Sequence, residues 1–224
     1  MLTSVHVIGT GRAGGAIRAR LREHDLHVTD GREPDPAAEL VLLCVPDSVI
    51  AEVAAGVPIG PWVAHVSGAT PLGALAPHER RFGVHPLQTL TRDRGPEQLD
   101  GAWAAIGGET AEALGMAGWL AELLGLHVFE VADVDRALYH AAAVFGGNYL
   151  VTLHDVATRL LAEVGAPAEA IVPLMARTIE NGFDLTGPIA RGDWGTVEAH
   201  LATLEERAPD LAPLYRALAE ATRR

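Results

Sequence analysis

The sequence predicts an α/β protein: a doubly wound, mostly parallel sheet over residues 1–131, followed by an all-helical part over residues 132–224. Three observations predict it. Short, apolar, β-branched runs alternate with helical segments through the first part, the pattern of a parallel sheet with helical crossovers. A glycine-rich turn joins the first such run to the first helix. From Asp133 onward no convincing strand remains and the apolar periodicity is helical.

In chain order, Val5-His6-Val7-Ile8 reads as a strand, Ala13 to Glu23 as a helix, and Leu26 to Thr29 as a second strand ending on Asp30. Gly31-Arg32-Glu33-Pro34-Asp35-Pro36 is a turn by composition. Leu40 to Val45 is a continuous apolar run, as expected of a parallel strand covered on both faces. Pro46 stops it, and Asp47 or Ser48 is placed to cap a helix over Val49 to Ala55. The single cysteine, Cys44, lies inside that run and reads as a small buried hydrophobe. Trp62 to Val66 forms the next strand, with Ser67-Gly68-Ala69-Thr70 as its loop. A short helix over Leu72 to Leu75 leads to Phe82-Gly83-Val84 and then to His85-Pro86-Leu87-Gln88-Thr89. Ala102 to Ile106 and His127 to Val131 are two further strands around a helix from Ala111 to Leu124.

Beyond them, Asp135 to Val164 reads as one long helix with Gly146-Gly147 inside it, and Pro167 to Asn181 as a second. Leu185 to Asp193 is a loop or short helix, and Thr196 to Arg207 and Leu211 to Thr222 are amphipathic helices.

Seventeen basic residues against 29 acidic ones give a formal net charge of -12, which disfavours nucleic acid and anionic membranes as partners. Hydrophobic residues make up 49% of the chain, enough for a sizeable core. One cysteine forms no intramolecular disulfide, and the N-terminus shows no basic-then-apolar leader, so a cytoplasmic protein is expected.

The turn Gly9-Thr10-Gly11-Arg12-Ala13-Gly14 carries the strongest chemical signal. In a G-x-G-x-x-G spacing the first glycine permits the tight turn off the strand. The second leaves room for a pyrophosphate, and the third lets the helix pack close on the strand. The free N–H groups at the helix start then face the phosphates. Asp30 falls where an acidic residue accepts from the ribose 2′-OH of NAD, whereas Arg32 is placed to pair with the 2′-phosphate of NADP. The expected cofactor is therefore NAD or NADP.

In such sheets ligands sit beyond the carboxyl ends of the strands. His85 lies at one of those ends and suits proton transfer at neutral pH, although a histidine before proline also simply shapes a turn. Ser67 either donates to a substrate or nicotinamide oxygen or caps the next helix. His140 and Asn148 are eight residues apart and would share a face of the long helix, with Tyr139 and Tyr149 too far round to join them. Arg191, near Thr186, is a candidate for a substrate carboxylate, or else pairs with Asp193. No histidine pair has metal-ligand spacing with a third ligand nearby, so no metal is expected.

The order of these stretches resembles the 6-phosphogluconate dehydrogenase-like superfamily, which joins a Rossmann domain to a helical C-terminal domain. Within it the chain is similar to Rossmann-like proteins with the domain of unknown function 2520. The residues that carry the resemblance are Gly9 to Gly14, Val45-Pro46-Asp47, His65 to Ala69, His85 to Thr89, His140 to Tyr149 and Leu185 to Asp193. It implies a Rossmann domain, an all-helical 6-phosphogluconate dehydrogenase C-terminal-like domain, and a homodimer. It also places Val45 and Pro46 beside the cofactor and, with an arginine near the position of Arg32 in many relatives, implies a slight lean to NADP. Ser67 and His85 look similar in type and place to the serine and the His-Pro pair of prephenate dehydrogenases. The lysine that β-hydroxyacid dehydrogenases carry four residues before an asparagine is Val144 here, which disfavours their mechanism.

The expected function is an NAD(P)-dependent oxidoreductase acting on a small polar or carboxylated metabolite in a cleft between the domains. His85, Ser67, Asn148 and His140 would be its catalytic candidates. The alternative is a dinucleotide-binding sensor or accessory protein without turnover.

Overall fold

The structure is a computed structural model that describes residues 2–223. The chain forms two compact units, one up to Gly147 and one from Asn148 onward.

The first unit is built on a seven-stranded sheet: β1 (Ser4–Ile8), β2 (His27–Asp30), β3 (Leu40–Leu43), β4 (Trp62–His65), β5 (Arg81–Pro86), β6 (Trp103–Gly108) and β7 (His127–Glu130). Their order is β2-β1-β3-β4-β5-β6-β7. β1 to β5 are mutually parallel, β6 runs antiparallel to β5, and β7 parallels β6. The chain order reverses between β1 and β3, the point where the connections leave to opposite faces and a ligand crevice opens.

Side-chain alternation divides the core between those faces. Val5, Val7, Leu40 and Leu42 pack with Ile17 and Leu21 of α1 (Arg12–Leu21) and with Ala117, Leu120 and Ala121 of α3 (Ala111–Leu123). Val41, Leu43 and Val63 pack on the other face with Ile50 and Ala54 of α2 (Ile50–Ala55). A strand buried on both sides has no polar alternation, which is why Leu40–Leu43 is apolar throughout. Thr110 caps α3 by accepting from Ala113 N–H at 3.1 Å.

Three local expectations are corrected. Neither Asp47 nor Ser48 caps the helix after β3; a 3-10 turn over Asp47–Val49 precedes α2 without a side-chain cap, and Asp47 bonds elsewhere. β5 does not stop at Val84, because β6 pairs antiparallel alongside it, and His85 lies opposite Ala105 inside the ladder. The long helix is two helices, α4 (Arg136–Gly146) and α5 (Asn148–Glu163), interrupted at Gly147 with φ -109 and ψ -71. Paired glycines carry the largest backbone entropy loss and no side-chain contacts to carry a helix through. The shared face assumed for His140 and Asn148 therefore has no continuous helix behind it. Leu185 to Asp193 is a loop of turns, one of the two forms expected of it.

The 3-10 turn over Asp133–Asp135 and α4 belong to the first compact unit, so residue 131 marks a change of secondary-structure type rather than the edge of that unit. The second unit holds α5, α6 (Ile171–Glu180), α7 (Trp194–Arg207) and α8 (Ala212–Thr222). Leu204, Ala208, Leu211 and Ala212 make its small core with Val156, Leu160 and Tyr215. Arg159 forks onto both oxygens of Asp210, and Asp193 caps α7 through Thr196. Among the described residues no helix is long and apolar enough to cross a membrane.

Candidate functional site

The glycine turn between β1 and α1 shows the steric logic of its spacing. Gly9 has φ +98, and a Cβ there would collide with the carbonyl of Cys44 on the neighbouring strand. A Cβ on Gly14 would strike the Gly9 carbonyl and lie 2.8 Å from Cys44 Cβ, so helix and sheet meet only because both positions are bare. Around Gly11 nothing among the described residues lies within 4 Å of the Cβ position. Thr10, Gly11 and Arg12 line a cavity of about 300 Å³ together with Thr91, Arg92 and Arg94 of the β5–β6 loop. Open space, free helix N–H groups and three guanidinium-bearing side chains suit an anion. These residues fit a dinucleotide pyrophosphate.

Ala13 packs against the core, and Val45 lies beside the turn, its Cγ1 3.1 Å from the Gly9 Cβ position. Burial pushes the Cys44 thiol up to about 12, in keeping with a packing role.

At the end of β2, Asp30 receives Arg18 at 2.9 Å and Arg22 at 3.1 Å, both on the same carboxylate oxygen. Its charge is shared with two guanidinium groups, one from α1 and one from the residue that follows it, and the exposed Arg32 comes two residues later. A 2′-phosphate here would meet a basic cluster rather than a bare carboxylate.

Along the sheet edge a second cluster forms at the ends of β4 and β5, under the first turns of α4. His85 Nδ1 lies 2.6 Å from the Tyr139 hydroxyl. The His140 ring sits 5.9 Å from the His85 ring, and its buried Nδ1 has no hydrogen-bond partner among the described residues. Gly68 separates the two imidazoles: a Cβ there would fall 2.7 Å from His140 Nδ1 and 2.8 Å from His85 Cε1. Burial, with help from His140 and Arg136, lowers His85 to about 4 against a smaller opposing pull from Asp47. At neutral pH it is therefore an uncharged imidazole. Nothing among the described residues occupies its Nε2.

Ser67 is used otherwise than expected. Its hydroxyl donates to Asp47 at 2.7 Å, lies 2.9 Å from the Thr70 hydroxyl, and accepts from the N–H groups of Ala69 and Thr70. A serine whose proton goes to Asp47 after β3 and whose lone pairs are taken by N–H groups of its own loop clamps the two loops together.

Beneath this layer lies a buried cation. Arg136 is 1% exposed and pairs with Asp133 at 2.7 Å, while Asp133 also accepts from Leu72 N–H at 2.8 Å. Room for the guanidinium comes from Gly83 and Gly107, cross-strand partners on β5 and β6; Cβ atoms there would lie 2.7 and 2.5 Å from Arg136 Nη2. His65, fully buried, accepts from Ser67 N–H and is lowered to about 4 by burial and by Arg136.

The structure thus gathers His85, Ser67 and His140 from the expected set. Asn148, Thr186 and Arg191 lie in the second compact unit, exposed, with Arg191 in the turn that precedes α7. Sequence reasoning misses Tyr139, Asp47, Asp133 and Arg136. Helical phase with His140 and Asn148 sets Tyr139 aside, although its partner is on β5. A signal for Arg136 does exist, as glycines inside two strands, which mark a close approach. All 17 basic residues are arginines, so no lysine serves in acid–base chemistry anywhere in the chain.

Comparison with known proteins agrees with this architecture. The family model for a Rossmann-like domain matches residues 3–90, and that for the Domain of unknown function (DUF2520) matches residues 102–222. No curated protein matches the sequence. Among solved structures, the chain is similar to a Bacteroides fragilis protein proposed to be an NADP oxidoreductase, at 20% identity and TM-score 0.83, covering 99% of this chain and 98% of that one. It is similar to 1-pyrroline-5-carboxylate reductase from Streptococcus pyogenes at 14% identity and TM-score 0.65, over 98% of each chain. It also matches prephenate dehydrogenase from A. aeolicus at 16% identity and TM-score 0.59, over 100% of this chain and 98% of that one. At these identities the structures establish the fold, a Rossmann-like sheet followed by helices. By the match over residues 102–222, the chain belongs to the Domain of unknown function (DUF2520) family.

Proposed function

We propose that the protein is an NAD(P)-dependent oxidoreductase that reduces or oxidises a small polar metabolite at the edge of the sheet. The observation that carries the proposal is the glycine cradle, open at Gly11 and sterically enforced at Gly9 and Gly14. The nicotinamide, when bound, donates or accepts the hydride. The chain's own part is to bind and to manage the proton. Backbone N–H groups from Gly9 to Gly14 hold the pyrophosphate, with Thr10, Arg12 and Ala13 in the turn and Val45 and Pro46 alongside. His85 offers Nε2 to the reacting oxygen or nitrogen, and Gly68 lets the loop after β4 approach the imidazole. Asn148, Thr186 and Arg191 enter no step here.

NADP is the preferred cofactor in this proposal, because Asp30 is already neutralised by Arg18 and Arg22 and Arg32 stands beside it. Titration with NADPH and NADH, followed by nicotinamide fluorescence, is expected to give tighter NADPH binding. Arg32→Ala is expected to weaken NADPH binding about 10–100-fold, the worth of one charge-assisted hydrogen bond, with NADH little changed. Binding of neither nucleotide would refute the proposal.

We also infer a homodimer. Val151 on α5 and Val172, Leu174 and Ile179 on α6 are about half exposed or more, a larger apolar display than a monomer ordinarily keeps. Light scattering is expected to give twice the 23.6 kDa chain mass; a single chain mass would overturn this.

A further inference from the structure

We infer that Tyr139 is the positioning and relay partner of His85: its hydroxyl holds the imidazole as the Nε2–H tautomer and passes a proton to Nδ1 as Nε2 delivers one to a carbonyl or imine substrate. The inference rests on the oxidoreductase reading above, and it commits that reading to the reductive half of the chemistry at this site.

The geometry is that of a two-member chain with one open end. Tyr139 reaches His85 Nδ1 at 2.6 Å, with the rings edge-on at 5.5 Å and 81°. Phe129 of β7 meets the tyrosine ring edge-on at 5.7 Å, which holds the phenol from its other side. His85 Nε2 has no protein partner among the described residues and is not a buried orphan, so the free end of the imidazole is accessible. The hydrogen bond fixes the tautomer because a neutral imidazole nitrogen accepts well, whereas a phenol oxygen, its lone pair drawn into the ring, accepts poorly. Tyr139 donates, Nδ1 accepts, and the histidine proton therefore resides on Nε2.

Both members are neutral at pH 7. Burial raises the Tyr139 phenol to about 12, with Arg136 pulling the other way. The groups facing His85 are Tyr139 and His140 on α4, Asp47 after β3 and Arg136 beneath the sheet edge, and their net effect with burial is to keep the imidazole uncharged. A neutral imidazole is a poor proton donor unless a second proton replaces the first, and Tyr139 supplies it. As the substrate carbonyl carbon gains a hydride from the reduced nicotinamide, its oxygen takes the Nε2 proton and Nδ1 takes the phenol proton. The C=O double bond becomes C–H and O–H, the nicotinamide is left oxidised, and the phenolate recovers its proton from water. Transfer runs downhill because a phenolate is a far weaker base than an alkoxide. The positive charge of Arg136 eases the transient phenolate.

The experiment is ring-¹⁵N NMR of the histidines in full-length wild-type protein and Tyr139→Phe, without cofactor or substrate, from pH 4 to 8; His85→Gln assigns the signal. The expected wild-type signal is a neutral Nε2–H tautomer throughout pH 6–8, with Nδ1 shifted as a hydrogen-bond acceptor. In Tyr139→Phe that shift is expected to vanish and the second tautomer to appear. An Nδ1–H tautomer in the wild type, or an unchanged His85 signal in the variant, would overturn the inference. If Tyr139→Phe does not fold, the wild-type tautomer decides alone. NADPH titration of both proteins separates the two readings: wild-type binding tests the cofactor proposal, and its outcome leaves the tautomer result standing. Once a substrate is in hand, Tyr139→Phe is expected to lower kcat about 100-fold with little change in KM; an unchanged kcat would overturn the relay.

Discussion

Replacing Asp133 with alanine is expected to destabilise the protein by about 3–5 kcal/mol, the range for stripping a buried ion of its partner. Arg136 is 1% exposed and fixed between the bare positions of Gly83 and Gly107, so it cannot swing out to water when the carboxylate is removed. Among the described residues its one other hydrogen bond is to the Ser67 carbonyl at 3.4 Å, too long to compensate a full charge. Leu72 N–H would lose its acceptor in the same step. The reverse substitution, Arg136→Met, is expected to cost markedly less, because the Asp133 side chain is 37% exposed and keeps both solvent and the Leu72 bond. Urea unfolding of the two variants measures the asymmetry. Equal losses, or a loss below about 1 kcal/mol for Asp133→Ala, would show that the cation is satisfied by other means. The pair matters to the site because Ser67, His65 and His85 all rest on this layer, and its charge helps keep both imidazoles neutral.

Gly11→Val is expected to abolish dinucleotide binding while the melting temperature stays within a few degrees of wild type. Among the described residues nothing lies within 4 Å of the Gly11 Cβ position, so the added side chain enters only the open space that the proposal gives to the pyrophosphate. Loss of close backbone approach removes several phosphate hydrogen bonds together, each worth about 1.5–3 kcal/mol when charge-assisted, so a fall in affinity of at least about 100-fold is expected. Gly14→Ala provides the contrast. Its Cβ would strike the Gly9 carbonyl, so α1 must move off β1 and the melting temperature should fall sharply. Fluorescence titration and thermal melting of the two variants test the assignment. Retained affinity in Gly11→Val would place the nucleotide elsewhere.

Most of the fold is legible in the sequence because it is written in local periodicity. All seven strands fall where short, mostly apolar runs stand between turn residues, and the helices of the second part fall where the period changes. The glycine turn is legible for the same reason: Gly9, Gly11 and Gly14 act within a single strand–turn–helix unit, and their steric roles follow from spacing alone. The limits appear where two distant segments decide. Periodicity runs through Gly146-Gly147, because an apolar pattern continues across a break that only backbone entropy and packing impose. His85 is identified by type, yet its place inside β5 depends on antiparallel pairing with β6, which no local signal announces.

The candidate site is legible in its histidines and not in the groups that tune them. Tyr139 is 54 residues from His85, and Arg136 is 69 residues from the Ser67 carbonyl it touches. Ser67 reads toward a ligand because a serine in such a loop has a proton to give; the tertiary structure spends that proton on Asp47. By itself the sequence determined the Rossmann-like sheet, its glycine turn and the helical sequel, since each rests on contacts within a few turns of chain. The folded structure alone decided which imidazole stays neutral, which nitrogen faces outward and which hydroxyl is already committed. Those properties come from burial, from a charge brought close through the fold, and from hydrogen bonds between β4, β5 and α4, and the free energies that set them exist only once those elements have packed.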